Sequence, residues 1–164
     1  MYEPPFPYFP RVQTQAFLLR QPAIMDARFW ESDHAVYFTH TTEVNNFRQL
    51  IHQLMRAYHQ GQGVYWMAVD NETRSVHGVL ALEGDFKQGR CMLNVLAYQE
   101  PFLAASWEEA FREVLQLCFK TLKVMSVSTA ANAYTGGWQD VLQGLGFVKE
   151  GPLFTCSRDS GAKS

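Results

Sequence analysis

Glu83 and Asp85 are the carboxylates of this sequence that are best placed for proton transfer. They stand two residues apart, where a predicted turn leads into an apolar strand. A carboxylate held at such a position can act as a general base toward a substrate in a neighbouring cleft. The alternative is a solvated turn in which neither side chain takes part in chemistry.

The histidines and cysteines do not have the spacing of metal ligands. His34 and His40 flank an apolar stretch, and Cys91, Cys118 and Cys156 form neither a Cys-x-x-Cys motif nor a Cys/His cluster. We therefore expect no metal. We interpret the three cysteines as reduced thiols of a cytoplasmic protein.

The composition fits one compact domain. The chain has 164 residues, 47% of them hydrophobic and 14% aromatic, which is enough for an ordinary core. The net charge is −2, and lysine and arginine are scattered singly, so we expect no nucleic-acid partner and no anionic membrane surface. We find neither a signal-peptide pattern nor an apolar run of membrane-spanning length, and we expect a protein that is neither secreted nor inserted in a membrane.

The chain divides into an arm at residues 1–13, a single domain at residues 14–156 and a polar tail at residues 157–164. Four prolines in the first ten residues rule out a helix there, since proline fixes its own backbone and extends the residue before it. The arm offers aromatic anchors for the body of the protein or for a partner: Tyr2, Phe6, Tyr8 and Phe9.

Periodicity predicts the order of the elements. After a strand at 16–19, apolar residues recur at helical spacing from residue 42 to 58. Three strand-forming runs, 64–69, 76–83 and 90–98, are joined by short polar turns and predict consecutive antiparallel strands. Ser106 and Glu109 match a capping box, which predicts a helix from about Trp107. A strand at 124–128, a short helix at 138–143 and a final strand at 147–156 follow.

The segment LGFVKEG at residues 145–151 resembles the LGF-x-x-EG ending of the GNAT superfamily of acyl-CoA N-acyltransferases. Residues 14–20, TQAFLLR, are similar to the first strand of the branch that acetylates the N-termini of ribosomal proteins. The strands at 65–69 and 78–82 resemble the hairpin of that branch, and the order of elements agrees over residues 14–154.

This resemblance implies an α/β (α+β) fold with a mixed, largely antiparallel sheet flanked by helices. Family members add a seventh strand after the sixth, whereas here only a polar tail follows Cys156. We therefore expect a shortened C-terminus and an open sheet edge. Because unpaired edges favour association, the arm or a second subunit of a homodimer could complete the sheet.

The resemblance also implies an activity, namely transfer of an acyl group from acetyl-CoA or another acyl-CoA to a primary amine. The acceptor would be a small molecule or a peptide, and its amine would attack the thioester directly. Glu83 or Asp85 would serve as the base, and Tyr134 could protonate the leaving thiolate, unless it is only a loop aromatic. Asn94 stands where the family often has a glutamate, and an amide cannot act as a base.

By the same resemblance, the cofactor would lie between the fourth and fifth strands. Its pantetheine arm would run beside Leu96, Ala97 and Tyr98, facing residues 126–129. The remaining cofactor positions are those of the pyrophosphate loop and of the start of the fourth helix: Gln99, Phe102, Leu103, Ala104, Ala105, Ser106 and Asn132.

The pyrophosphate loop departs from the family pattern of Gln/Arg-x-x-Gly-x-Gly/Ala. Phe102 replaces the first glycine, and Pro101 removes a backbone donor. Residues 99–109 contain no lysine or arginine and three glutamates. Since like charge disfavours a phosphate, we expect weakened cofactor binding. The alternative function is a catalytically silent GNAT-fold protein that binds or assembles.

Overall fold

The computed structural model describes residues 4–30, 36–38, 47–99, 101–130 and 137–161. The described strands are β1 (Val12–Gln13), β2 (Phe17–Arg20), β3 (Val36–Phe38), β4 (Gly63–Asp70), β5 (Val76–Asp85), β6 (Arg90–Gln99), β7 (Ser126–Ala130), β8 (Val148–Glu150) and β9 (Leu153–Ser157). The helices are α1 (Ala27–Trp30), α2 (Phe47–His59), α3 (Ala104–Gln116), α4 (Trp138–Gly144) and α5 (Arg158–Gly161). None of these helices is long and apolar enough to cross a membrane.

The strands form one sheet in the order β1-β2-β4-β5-β6-β7-β9-β8, with β3 beside β6. All pairs are antiparallel except β6 with β7. The predicted run of three antiparallel strands is confirmed as β4, β5 and β6. Glycine suits the turn between β5 and β6, because Gly89 has a φ of 71°, in the left-handed region that glycine tolerates. The expected mixed, largely antiparallel α+β fold is confirmed.

Helices cover both faces of the sheet. The helix predicted at 42–58 is confirmed from residue 47 onward, and Leu50, Ile51 and Leu54 of α2 pack with the β4 and β5 side chains of one face. The opposite face is covered by α3, whose buried residues include Phe111 and Val114. The sheet therefore separates two apolar layers.

The predicted capping box is wrong. Helix α3 begins at Ala104, three residues earlier than expected, and has no side-chain cap. Ser106 lies inside its first turn. The Glu109 carboxylate instead accepts hydrogen bonds from the backbone N–H groups of Gln15 and Ala16 at 2.7 and 3.3 Å. A tertiary contact between α3 and the β1–β2 connection has replaced the local cap.

The shortened C-terminus is also corrected. The segment predicted as one strand over 147–156 contains β8 and β9, joined by a turn in which Gly151 has a φ of 64°. Strand β9 lies between β7 and β8. The residues predicted to form one final strand therefore form two, and β9 is the further strand that was expected to be missing. The helix end expected at Gly146 is confirmed, with a φ of 101° there.

The N-terminal arm packs against the body of the protein. The Trp66 indole N–H donates to the Pro10 carbonyl at 2.7 Å, and the Phe6 N–H donates to the Tyr58 hydroxyl at 3.0 Å. The Phe9 ring contacts Tyr58 at 5.3 Å between centroids. Phe6 and Phe9 are thus the anchors that were expected, whereas Tyr8 is 89% exposed.

We predict that Gly78→Ala destabilises the fold by about 1–3 kcal/mol through overpacking. A Cβ at Gly78 would lie 2.5 Å from the Trp107 ring and 2.6 Å from the Ala97 carbonyl oxygen. Gly144→Ala is the matched control, because no heavy atom lies within 4 Å of a Cβ there, and alanine favours a helix by up to about 1 kcal/mol. Urea unfolding of both variants is the measurement. Equal stabilities would contradict the close approach of α3 to β5.

Candidate functional site

The parallel ladder between β6 and β7 is short. It joins residues 90–92 to residues 126–128 and ends at the pair of Met92 with Ser128. Strand β6 continues to Gln99 while still paired with β5 on its other side. Strand β6 therefore extends beyond its last pair with β7, at the place where the resemblance implied a cleft between the fourth and fifth strands.

A β-bulge alters β6 beside this cleft. The register with β5 jumps from Leu80–Val95 to Val79–Ala97, so Leu96 is the extra residue of the bulge. Val95 packs in the α3 layer, whereas Leu96 and Ala97 both pack in the α2 layer. The strict alternation of faces is thus broken at Leu96. The bulge brings Leu96 to the wall of a cavity under α2.

Strand β3 pairs with the far end of β6. Val36, Tyr37 and Phe38 stand in register with Gln99, Tyr98 and Ala97. Because β5 occupies the other edge of Ala97 and Tyr98, β3 lies on the same side as β7. Two of the three positions expected beside pantetheine, Ala97 and Tyr98, therefore have main-chain partners within the protein. On this edge, the pairing with β7 ends at Met92 and the pairing with β3 begins at Ala97, so residues 93–96 lie in the gap between the two ladders.

Asn94 lies at the closed end of that gap. Its Oδ1 accepts hydrogen bonds from the Ala130 backbone N–H at 3.0 Å and from the Thr129 hydroxyl at 3.2 Å. Asn94 is 7% exposed, and Thr129 is fully buried. The side chain thereby connects β6 to β7 just beyond their last main-chain pair.

Glu83 lies in the α2 cavity, which has a volume of about 430 Å³. The Tyr65 hydroxyl donates a hydrogen bond to Glu83 Oε2 at 2.6 Å. Burial and this bond raise the pKa of Tyr65 well above its usual value, so the phenol stays protonated and remains a donor. Gln53, Arg56 and Gln60 complete the polar wall of the cavity. Glu83 is thus a held carboxylate that faces a cavity next to the β6 bulge.

Gly63 makes room for this pair. It stands opposite Glu83 in the β4–β5 register. A Cβ at Gly63 would lie 2.8 Å from the Tyr65 hydroxyl and 2.9 Å from Glu83 Cγ. Sequence reasoning missed both Tyr65 and Gly63. Counting antiparallel pairs back from Val69 and Val76 would have placed Gly63 opposite Leu82, because a bulge between Ala68 and Val69 shifts the register by one residue.

The second candidate base, Asp85, stabilises the turn between β5 and β6. Its Oδ1 accepts the Gln88 backbone N–H at 3.1 Å. The side chain does not line the cavity that contains Glu83. The structure thus separates two carboxylates that the sequence could not distinguish. Tyr134 and Asn132, predicted as an acid and a cofactor contact, lie outside the described residues.

Phe102 belongs to an aromatic cluster. Its ring lies 5.1 Å from Tyr98, 6.0 Å from Trp107 and 5.2 Å from Trp138 between centroids, and it stacks on Trp107 with an interplanar angle of 7°. Leu103 precedes α3 as its N-terminal cap residue, and Ala104, Ala105 and Ser106 form the first turn of the helix. This uncapped helix start suits an anion. The glycine that would open the approach to it is replaced by a packed ring.

The buried thiols are not suited to nucleophilic chemistry. Burial raises the pKa of Cys91 to about 12, with a smaller contribution from Asp85. Cys118 and Cys156 have raised pKa values for the same main reason. All three remain protonated thiols near neutral pH. Among the described residues, no group of three histidine, cysteine or acidic side chains is arranged for a metal ion.

The sequence matches no protein-family model and no curated protein. The structure is nevertheless similar to solved acetyltransferases over nearly all of its length, and it therefore has the fold of the GNAT family. A GNAT-family acetyltransferase from Bacillus anthracis superposes with a TM-score of 0.69 at 12% identity, covering 92% of this chain and 99% of that one.

Two other neighbours have more specific descriptions. Mutant forms of the spermidine/spermine N-acetyltransferase SpeG from Vibrio cholerae give a TM-score of 0.70 at 13% identity, covering 92% of this chain and 98% of that one. The ribosomal-protein-S5-alanine acetyltransferase from Vibrio fischeri gives 0.65 at 16% identity, covering 92% and 97%. At identities this low, the superpositions show a shared fold and nothing more specific.

We predict that Tyr65→Phe flattens the alkaline dependence of stability. An unfolded tyrosine ionises near pH 10, about its ordinary pKa. The folded protein holds the Tyr65 proton more tightly, so the wild type loses stability as the pH rises above about 10. The variant lacks this loss, while the three cysteines contribute to both proteins. Urea unfolding between pH 9 and 11 measures the difference, and identical slopes would contradict the prediction.

Proposed function

We propose that this protein is an acyl-CoA-dependent N-acyltransferase that transfers an acetyl group to a primary amine. The observation that carries the proposal is the short β6–β7 ladder, which ends beside a bulge and a cavity containing Glu83. The GNAT fold supports it, as do the spermidine and ribosomal-protein acetyltransferases among the similar structures. Three buried free cysteines support a reducing, cytoplasmic setting.

The residues present fit the two ends of an acyl-CoA unequally. The β6 edge beyond the β7 ladder suits an extended amide-containing chain, and the uncapped start of α3 suits a phosphate. The Phe102 ring and the absence of lysine and arginine from residues 99–109 oppose tight binding of the pyrophosphate. When bound, the acyl-CoA would supply an activated thioester. Weak binding is the consequence that we expect.

The protein's own groups would position the amine and take its proton. In the transfer, a carbon–nitrogen bond forms and the carbon–sulfur bond breaks, and the thiolate leaves and takes up a proton. The proton lost by the amine passes to Glu83, whose carboxylate is oriented by the Tyr65 hydroxyl. The acceptor enters through the cavity under α2, whose wall carries both the Glu83 carboxylate and the Arg56 guanidinium.

We expect Glu83→Gln to lower the transfer rate by about 10²- to 10⁴-fold, the usual contribution of a general base. Acetyl-CoA affinity should not change, because Glu83 lies away from the start of α3. Release of free thiol from acetyl-CoA is measured with spermidine and with a tripeptide as acceptors. Glu150→Gln, in the exposed strand β8, is the matched control. If Asp85→Asn lost activity and Glu83→Gln did not, the general base would be Asp85.

A second candidate function is a catalytically silent protein that keeps the fold for binding or assembly. Two observations favour it. Strand β3 pairs with the β6 edge at Ala97 and Tyr98, where pantetheine was expected. Phe102 fills space at the cofactor loop with a ring packed on three aromatic neighbours.

Proline substitutions in β3 distinguish the two functions. Prolines at Val36 and Phe38 remove two backbone donors and disfavour the pairing with Gln99 and Ala97. If an acyl-CoA uses this edge, the double variant should bind acetyl-CoA about tenfold or more tightly than the wild type, as the loss of a competing contact of about 1.4 kcal/mol would give. Calorimetric titration of both proteins with acetyl-CoA measures this difference in affinity. No binding by either protein would favour the silent protein.

A further inference from the structure

The cavity under α2 has an apolar floor and a polar rim. The floor is formed by three buried leucines, Leu50 and Leu54 of α2 and Leu96 of the β6 bulge. The rim is formed by exposed polar side chains: Gln53, Arg56, Gln60, Gln62 and Glu83. A ligand that fits this cavity therefore combines an apolar part with polar groups at its open side.

The rim carries both signs of charge. Among the described residues that line the cavity, Arg56 is the one cation and Glu83 the one carboxylate. None of the ion pairs in the described part of the chain joins them. The Tyr65 hydroxyl occupies Glu83 Oε2, and the second carboxylate oxygen can accept from another donor. Two opposite charges that share a cavity without pairing each offer a partner to a ligand.

The α2 side of the rim is rich in donors. Gln53, Arg56 and Gln60 follow one another at spacings of three and four residues, which places them on one side of the helix end. The Gln62 side-chain amide donates to the Gln60 Oε1 atom at 3.1 Å. Because this bond uses the Gln60 oxygen, its N–H₂ group is a further donor on the rim. A guanidinium with an amide N–H beside it suits a carboxylate.

The β5 side of the rim suits an ammonium group close to the reaction. Glu83 stands opposite Met92 in the β5–β6 register, and Met92 is the last β6 residue that pairs with β7. Under the proposed function, the acyl group is expected where this ladder ends. An amine held by Glu83 therefore lies one strand away from the acyl group that it attacks.

We propose that the acceptor is a free apolar α-amino acid, bound with its ammonium group at Glu83, its carboxylate at Arg56 and its side chain on the leucine floor. This inference rests on the proposed acyltransfer function and names its substrate class. The amino acid nitrogen forms a bond to the acetyl carbon as the carbon–sulfur bond breaks. Of the two protons that the ammonium loses, one passes through Glu83 to water and one ends on the coenzyme A thiol.

The same rim disfavours two other classes of amine. A polyamine brings a second cation toward Arg56, and like charges repel. A peptide N-terminus has a neutral amide where the free amino acid has its carboxylate, so it leaves Arg56 without an anionic partner. Discrimination therefore combines a repulsive contact against one competitor with a lost contact for the other.

The first test measures binding without acetyl-CoA. Leucine, methionine and phenylalanine are each titrated by calorimetry beside their amides, which lack the carboxylate, at about pH 6.5, where the α-amines are protonated. The wild type should bind at least one amino acid about 3- to 10-fold more tightly than its amide, as a solvent-exposed charge contact gives. Arg56→Gln should abolish this preference, and Arg56→Lys should retain part of it.

Arg48→Gln is the matched control. Arg48 is also an exposed arginine of α2, but it does not line the cavity. This variant should keep the wild-type preference. Because both arginines are exposed, neither substitution removes a buried contact, and urea unfolding of the variants checks that they fold.

The second test measures release of free thiol from acetyl-CoA with the same amino acids and amides, with spermidine and with a tripeptide. The ratio of kcat/KM for amino acid over amide should fall about 3- to 10-fold in Arg56→Gln and stay the same in Arg48→Gln. Comparing this ratio between proteins cancels the difference in basicity between the two amines.

The outcomes separate the two proposals. A preference for the amino acid in both tests that Arg56→Gln loses and Arg48→Gln keeps establishes the inference. If thiol is released with spermidine, the tripeptide or the amides, and Arg56→Gln does not change the ratio, the amino acid is refuted as the acceptor and the acyltransferase proposal stands. If no acceptor releases thiol, the acyltransferase proposal fails. A preference in binding that still depends on Arg56 would then retain the cavity as an amino acid site, and its absence would overturn that as well.

Discussion

The parallel contact between β6 and β7 is the constraint on which the site depends. Parallel neighbours need a long crossover, and α3 with the π-helical turn that follows it (Leu117–Thr121) supplies it between the end of β6 and the start of β7. The same crossover covers one face of the sheet with Phe111 and Val114. Because the ladder lasts only three residue pairs, β6 keeps an edge that its antiparallel partner β5 cannot use.

Two structural features decide how this cleft can be used. The bulge at Leu96 turns two successive side chains toward α2 and brings β6 to the cavity that holds Glu83. Strand β3 and the Phe102 ring, in contrast, occupy positions where a cofactor would compete with the protein's own contacts. Under the proposed function, the balance between these contacts sets the affinity for an acyl-CoA. The fold alone does not set it.

The polar groups near the cleft are arranged through tertiary contacts. Tyr65 and Glu83 come from different strands and meet because Gly63 leaves them room. Asn94 reaches β7 because the main-chain ladder has just ended, and its neighbours there are donors only. In each case a backbone feature creates the space and a side chain fills it. The site is therefore sensitive to small changes in register.

The sequence by itself determined the three antiparallel strands and the two covering helices, because alternation, helical periodicity and glycine turns are local signals. The GNAT fold was indicated by the resemblance of residues 145–151 to the family's ending. It also brought Glu83 and Asp85 forward as bases, but it could not separate them, since that depends on which one faces a cavity. Only the tertiary structure decided that Glu109 binds the β1–β2 connection, that residues 147–156 form two strands and that β3 pairs with β6. These outcomes depend on contacts between residues far apart in the chain, whose energies no local pattern contains.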